Sequence, residues 1–143
     1  MYGGDPASGS GAREHPGRWH NRGTAVVYSS DSLPLALCEV GLEIDDLETL
    51  RGTHSCVSFE FDEDLVEELS EDDLPEDWNV RPHKPETRKL GDEWIRRQSS
   101  AVLKVPSAIK GGGYNYLLNP EHTNYAKIRI SAPKDLAEML ATS

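Results

Sequence analysis

Residues 17–42 read GRWHNRGTAVVYSSDSLPLALCEVGL, and two different periods meet inside them. TAVVYS, from Thr24 to Ser29, is a short β-branched and aromatic run closed by Gly23 and by the polar SSDS, the pattern of a buried strand. Asp31 or Ser32 then caps a helix whose early turn holds Pro34, where a missing N–H costs little. Leu33, Leu37 and Val40, with Ala36 beside them, recur at spacings of three and four and mark its apolar face.

Working outward, the chain before this unit, residues 1–23, is rich in Gly, Pro and Ser without a period and reads as loop. After it, HSCVSFEFD (54–62) alternates as a half-exposed strand with Val57, Phe59 and Phe61 inward, and a short helix is expected around Leu65 to Leu69. A longer helix is expected from about Glu86 to Arg97, carrying Leu90, Trp94 and Ile95. AVLKVP (101–106) is a second buried strand, NYLLN (115–119) a short apolar segment, and YAKIRI (125–130) alternates again. Pro133 opens a terminal helix with an apolar stripe of Leu136, Met139 and Leu140. Strands and helices mix without a regular βαβ repeat, which predicts a compact α+β fold, and 143 residues suit one domain.

The formal charge of −10 argues against direct binding of nucleic acid, which rests on Lys and Arg neutralising phosphates. Much of the acidity lies in residues 60–77, EFDEDLVEELSEDDLPED, read as a solvated face. Cys38 and Cys56 are the only cysteines and are expected as buried small hydrophobes, not a disulfide framework. No segment has the length and apolarity of a membrane span or the layout of a signal peptide, so the expected location is the cytoplasm.

The sequence has no phosphate-binding P-loop, no GxGxxG, HExxH or GxSxG and no CxxC, which removes many common enzyme classes. Its histidines, His15, His20, His54, His83 and His122, never pair at helical spacing, and no metal is expected. The glycines at 111–113 read as a flexible loop. Glu39 is the sharper candidate: a carboxylate among Leu35, Ala36, Cys38, Val40 and Leu42 must be paired, face a polar cavity or sit on an exposed edge. Arg18 in its loop, Tyr28 at the strand end and Ser107 after VP are each ordinary alone.

Four blocks in order, GRWHNRGTAVVYSS, LALCEVGLE, GDEWIRRQSSAVLKVPSAI and NYLLNPEHTNYAKIRI, give the chain a resemblance to the RES-domain toxins of RES-Xre toxin-antitoxin systems. The resemblance places the family's arginine on Arg18, its tyrosine on Tyr28, its glutamate on Glu39 and its serine on Ser107, with Ser99 and Ser100 as the alternatives. It implies a fold similar to the catalytic core of ADP-ribosylating toxins and NAD+ as substrate, cleaved at the nicotinamide-ribose bond by hydrolysis or phosphorolysis. Protein ADP-ribosylation and a non-catalytic interaction role are the alternatives. In that reading Glu39 stabilises the charge developing on the ribose, Arg18 grips the pyrophosphate, Tyr28 packs against the nicotinamide or its ribose, and Ser107 orients nearby groups. It also implies an Xre-like antitoxin as partner and allows a homodimer.

The chain departs from the resemblance in three places. It opens at Met1 and Tyr2, where the family has a strand reading roughly YRI, so that strand is expected to be missing. His20 stands where Asn often follows the tryptophan, with consequences for the hydrogen bonds near Arg18, and the segment from Leu65 to Thr87 is long and acidic.

Overall fold

The computed structural model describes residues 9–39, 55–80, 82–109 and 111–142. Its centre is a four-stranded sheet of β1 (Val27–Ser30), β6 (Tyr114–Leu118), β5 (Val102–Pro106) and β4 (Val66–Glu68), in that spatial order. β1 and β5 both run antiparallel to β6, whereas β4 runs parallel to β5, so the sheet is mixed and the α+β expectation holds. Val102, Val105, Leu117 and Leu118 are wholly buried, as the central strands of a sheet covered on both faces require.

Alternation along the strands divides the core into two layers. On one face Trp19, Val26, Leu103, Val105 and Leu117 pack with Trp94 of α3 (Pro85–Arg97), and on the other Val27, Val102 and Leu118 pack with Leu65, Ala101 and Ile128. Trp94 anchors α3, and its indole N–H, which cannot be left unpaired in a core, donates to Ser100 Oγ at 2.8 Å. α3 begins with Pro85 at its first turn and ends at Gln98 in the left-handed region (φ 57°), close to the expected Glu86-to-Arg97 span.

α2 (Leu33–Glu39) follows β1 after a two-residue turn. Ser32 caps it: its Oγ accepts the Leu35 N–H at 3.3 Å and its carbonyl accepts the Ala36 N–H at 3.0 Å. Among the side chains described in this helix, Leu35 is the one buried; Leu33 and Ala36 of the expected stripe are only partly covered, and the Leu37 side chain and Val40 lie outside the described residues.

Several local readings are corrected by long-range pairing. Residues 65–69 are not helix: a 3-10 turn, Glu63–Leu65, leads into β4, whose residues pair with Val102 to Lys104 and whose ladder continues through Leu69 N–H to the Lys104 carbonyl at 2.9 Å. The partner strand lies more than thirty residues later, so nothing local announces it. The expected 54–62 strand divides into β2 (Ser55–Cys56) and β3 (Phe59–Glu60), which pair with β8 (Lys134–Asp135) and β7 (Arg129–Ile130). Phe59 and Phe61 still pack inward, and His54 lies outside the described residues.

The first half of YAKIRI belongs to a 3-10 turn, Thr123–Lys127, set by His122 Nδ1 accepting the Asn124 N–H at 2.9 Å, with only Arg129–Ile130 as strand. β8 also delays the terminal helix α4 to Leu136–Thr142, and the N-terminal loop contains a short helix, α1 (Ser10–Glu14). The acidic stretch is a solvated face as expected: Asp62 to Asp64 and Glu71 to Asp73 are exposed. Cys56 is only half-buried, and the Cys38 side chain lies outside the described residues. Among the described residues no helix is long and apolar enough to cross a membrane.

Candidate functional site

The loop before β1 owes its shape to α3. Trp19, 2 % exposed, enters the core with its ring 6.0 Å from that of Trp78, and its carbonyl lies where α3 has no side chain. A Cβ on Gly91 would stand 1.6 Å from the Trp19 oxygen, so only glycine permits this approach. Next to it, Asp92 accepts the Asn21 N–H at 3.1 Å and its side-chain amide at 2.8 Å, while one turn earlier Arg88 Nε donates to Asn21 Oδ1 at 3.0 Å. The loop is thereby fastened to α3 at the residues that follow Arg18. Arg18 Nη1 donates to the carbonyls of Trp78 (2.8 Å) and Val80 (3.0 Å), which orient the guanidinium fork against the turn that precedes α3.

Tyr28 meets this loop from β1. Its hydroxyl accepts the Trp19 N–H at 3.2 Å and lies 2.6 Å from His20 Nδ1. His20 Nε2 faces two acceptors, the carbonyls of Ala12 (2.9 Å) and His15 (2.8 Å), so it carries the ring hydrogen and Nδ1 accepts from the phenol. Burial pushes the Tyr28 phenol well above its usual value, with nearby Asp92 adding to the rise and the Trp19 bond and Arg18 opposing it. The residue as a whole is nevertheless 40 % exposed. The hydroxyl end is the enclosed part, against Gly17, Trp19 and His20, and the ring supplies the exposed surface. His20, the departure noted in the sequence, thus ties α1 to the Tyr28 hydroxyl.

Between the loop, β1 and the turn before α3 lies a cavity of about 360 Å³. Arg18, Tyr28, Ser30, Ala36, His83 and Asn115 are among its lining residues. Ser30 Oγ donates to Oδ1 of the buried Asn115 at 2.7 Å, giving the wall next to β6 a fixed polar edge. His83 has its pKa lowered by burial first and then by the charges of Arg88 and Arg18 and by His20, which favours the neutral ring. A fixed guanidinium beside neutral hydrogen-bonding groups is suited to an anionic or phosphorylated ligand.

Of the sequence candidates, Arg18 and Tyr28 share this cavity. Glu39 is the last residue of α2, three positions beyond the lining residue Ala36, and its side chain lies outside the described residues. Ser107 follows β5 directly before Ala108, which lines the cavity; its Oγ accepts the Ile109 N–H at 3.1 Å, and its own N–H donates to the Gly113 carbonyl at 2.9 Å. Ser99 and Ser100 precede the other end of β5, about 17 Å of extended chain away, and both hydroxyls reach Glu67. Gly112 also matters here: a Cβ on it would lie 2.8 Å from the Leu35 side chain and 3.1 Å from Ser107 Oγ.

Sequence reasoning passed over His83 and Asn115. Asn115 had a signal, a polar residue alternating into an apolar strand, whereas His83 sits in a Pro-bounded connection with none. A second, larger space of about 940 Å³ also meets β1, sharing Tyr28, Ser29, Ser30 and Ala36 with the first and lined further by Phe59, Phe61, Val66 and Tyr116 and by Lys104, Glu68 and Glu63. Among the described residues no group of His, Cys, Asp and Glu is arranged to hold a metal ion.

A family model described as RES domain matches residues 2–138. The chain is 38 % identical over 120 residues to "Toxin Res" of Photorhabdus laumondii, an alignment covering 84 % of this chain and 76 % of that protein. It is 33 % identical over 118 residues to "Toxin Res" of Yersinia enterocolitica, covering 82 % and 77 %. A third relative, "Prs ADP-ribosylating toxin" of Sphingobium sp., is 30 % identical over 131 residues, covering 90 % and 81 %.

Proposed function

The chain belongs to the RES domain family, whose relatives here are named toxins, and from that premise we propose that it is a toxin enzyme that cleaves NAD+ at the nicotinamide-ribose bond. The observation that carries the reading is the meeting of Arg18 and Tyr28, from separate elements, in one cavity beside the helix that ends at Glu39. The name of the Sphingobium relative, an ADP-ribosylating toxin, supports the same substrate chemistry.

Loss of nicotinamide leaves positive charge on the ribose in an oxocarbenium-like transition state, and a fixed carboxylate stabilises that charge more strongly where water is scarce. Glu39 takes this role, hydrogen-bonded to the ribose hydroxyls. Arg18 holds the pyrophosphate with donors already oriented by the Trp78 and Val80 carbonyls. Tyr28 packs its ring against the nicotinamide or its ribose, because its hydroxyl is committed to Trp19 and His20. Ser107 orients groups at the end of β5 and is not a nucleophile. Water or phosphate then captures the sugar, so NAD+ is consumed as substrate. An antitoxin of the Xre type restrains the enzyme in the cell.

The test is nicotinamide release from NAD+ by purified, folded protein, followed with and without phosphate. Release into ADP-ribose supports hydrolysis, and release dependent on phosphate supports phosphorolysis. Because of the Sphingobium relative's name, a protein acceptor is included as a third arm; label transferred to it supports ADP-ribosylation instead. No release in any arm contradicts the enzyme reading and leaves a non-catalytic interaction role.

A further inference from the structure

One polar side chain of the Arg18 cavity has no task in this chemistry. His83 lines the cavity together with Arg18, and its backbone follows the turn whose Trp78 and Val80 carbonyls hold that arginine. The imidazole is oriented from behind: Arg88 Nη1 lies 2.8 Å from His83 Nδ1 and 3.1 Å from the His83 carbonyl oxygen. A guanidinium only donates, so Nδ1 is the acceptor and the neutral ring carries its hydrogen on Nε2. Arg88 is in turn fixed through Nε to Asn21, in the same loop as Arg18. Protonating Nδ1 would break the Arg88 bond and place a third cation beside Arg18 and Arg88, so the arrangement selects the neutral tautomer with a single donor.

We propose that His83 is a second phosphate-contacting side chain of the NAD+ site, donating from Nε2 to a pyrophosphate oxygen alongside Arg18. Arg18 supplies charge; His83 supplies a directional hydrogen bond without adding charge to a site that already holds arginines. The proposal rests on the NAD+ reading and adds to it a residue that discriminates the diphosphate half of the ligand from the nicotinamide half.

Calorimetric titration of the full chain separates these claims, using ADP-ribose, which keeps the pyrophosphate, and nicotinamide, which lacks it. His83→Phe keeps a ring without a donor and should weaken ADP-ribose binding about tenfold, the worth of one hydrogen bond to a charged group. His83→Gln, whose amide nitrogen sits near the Nε2 position, should recover affinity to within about threefold of the unmodified protein, by the same scale. Nicotinamide affinity should be unchanged throughout, with melting temperatures confirming that each variant is folded.

Unchanged ADP-ribose binding in His83→Phe overturns the proposal. A loss that Gln fails to recover also contradicts the hydrogen-bond role. Absence of any binding by the unmodified protein overturns the NAD+ reading and this proposal with it, and is told apart because it needs no variant.

Discussion

Two spaces meet at β1, and their sizes rank opposite to the chemistry they hold. The groove of about 940 Å³ is walled by Phe59, Phe61, Val66 and Tyr116, and its charges pair locally, with Lys104 Nζ 3.9 Å from Glu68 and 4.2 Å from the centre of the Tyr114 ring. The cavity of about 360 Å³ is smaller, yet its side chains are oriented by contacts reaching far along the sequence: Arg18 by carbonyls at 78 and 80, Tyr28 by the loop at 19 and 20, His83 by α3. Volume measures where a ligand fits. Preorganisation measures where a reaction can be stabilised, because groups fixed beforehand need no rearrangement when charge develops.

If the small cavity depends on α3, the sharpest way to break it is at Gly91. A methyl group there collides with the Trp19 carbonyl, a backbone atom that cannot yield cheaply, so Gly91→Ala should cost roughly 3 kcal/mol or more and abolish most turnover. Denaturant titration together with nicotinamide release checks it. A stable, active Gly91→Ala would show that the Trp19 loop tolerates displacement.

Tyr28 sharpens the comparison within the cavity itself, because its ring and hydroxyl have separate tasks. Tyr28→Ala, which removes the ring, should lower turnover by about 10²-fold, as expected for a misplaced substrate. Tyr28→Phe keeps the ring but leaves the Trp19 N–H and His20 Nδ1 without their partner, costing ~1–3 kcal/mol of stability while turnover falls by less than about tenfold. Equal kinetic damage from both would return the chemistry to the hydroxyl.

The groove should be far less sensitive. Lys104→Ala removes a partly exposed ion pair and a cation-ring contact, together worth ~1 kcal/mol or less, and nicotinamide release should stay within about threefold. A larger fall would move the site into the groove.

The smallest expected effect is on stability against pH. His83 has a lower pKa in the folded chain than its ordinary 6.5, so as pH falls the unfolded chain takes up the proton first. The stability His83 contributes is therefore complete above that ordinary value and declines below it. Between pH 7.5 and 5.5 the melting temperature of the unmodified protein should drop slightly more than that of His83→Gln, and parallel curves would contradict the shift.

The elements legible in the sequence are those whose determinants are local. α3 shows itself by helical spacing up to the buried Trp94, β5 by an apolar run interrupted only by Lys104, and α2 by Ser32 before Pro34. β4 reads locally as helix, because EDLVEE has helix-forming residues and its strand partner is the distant Val102 to Lys104. YAKIRI alternates like a strand, but the His122 cap winds it into a turn. The site divides in the same way. Arg18 and Tyr28 could be nominated from residue type and resemblance, but no local pattern reveals that carbonyls sixty residues away orient the arginine or that His20 takes the phenol hydrogen. His83 was invisible because its role depends on Arg88 behind it and Arg18 beside it.

The central claim is that Glu39, at the end of α2 beside the Arg18 cavity, stabilises the charge of nicotinamide departure. Its most direct test is the rate of nicotinamide release from saturating NAD+ by unmodified protein and by Glu39→Gln, with the fold of both verified by their melting curves. The account predicts a folded variant whose turnover is lower by at least ~10²-fold, the scale of losing one group that stabilises a transition state. A folded Glu39→Gln that releases nicotinamide at near the unmodified rate would contradict it.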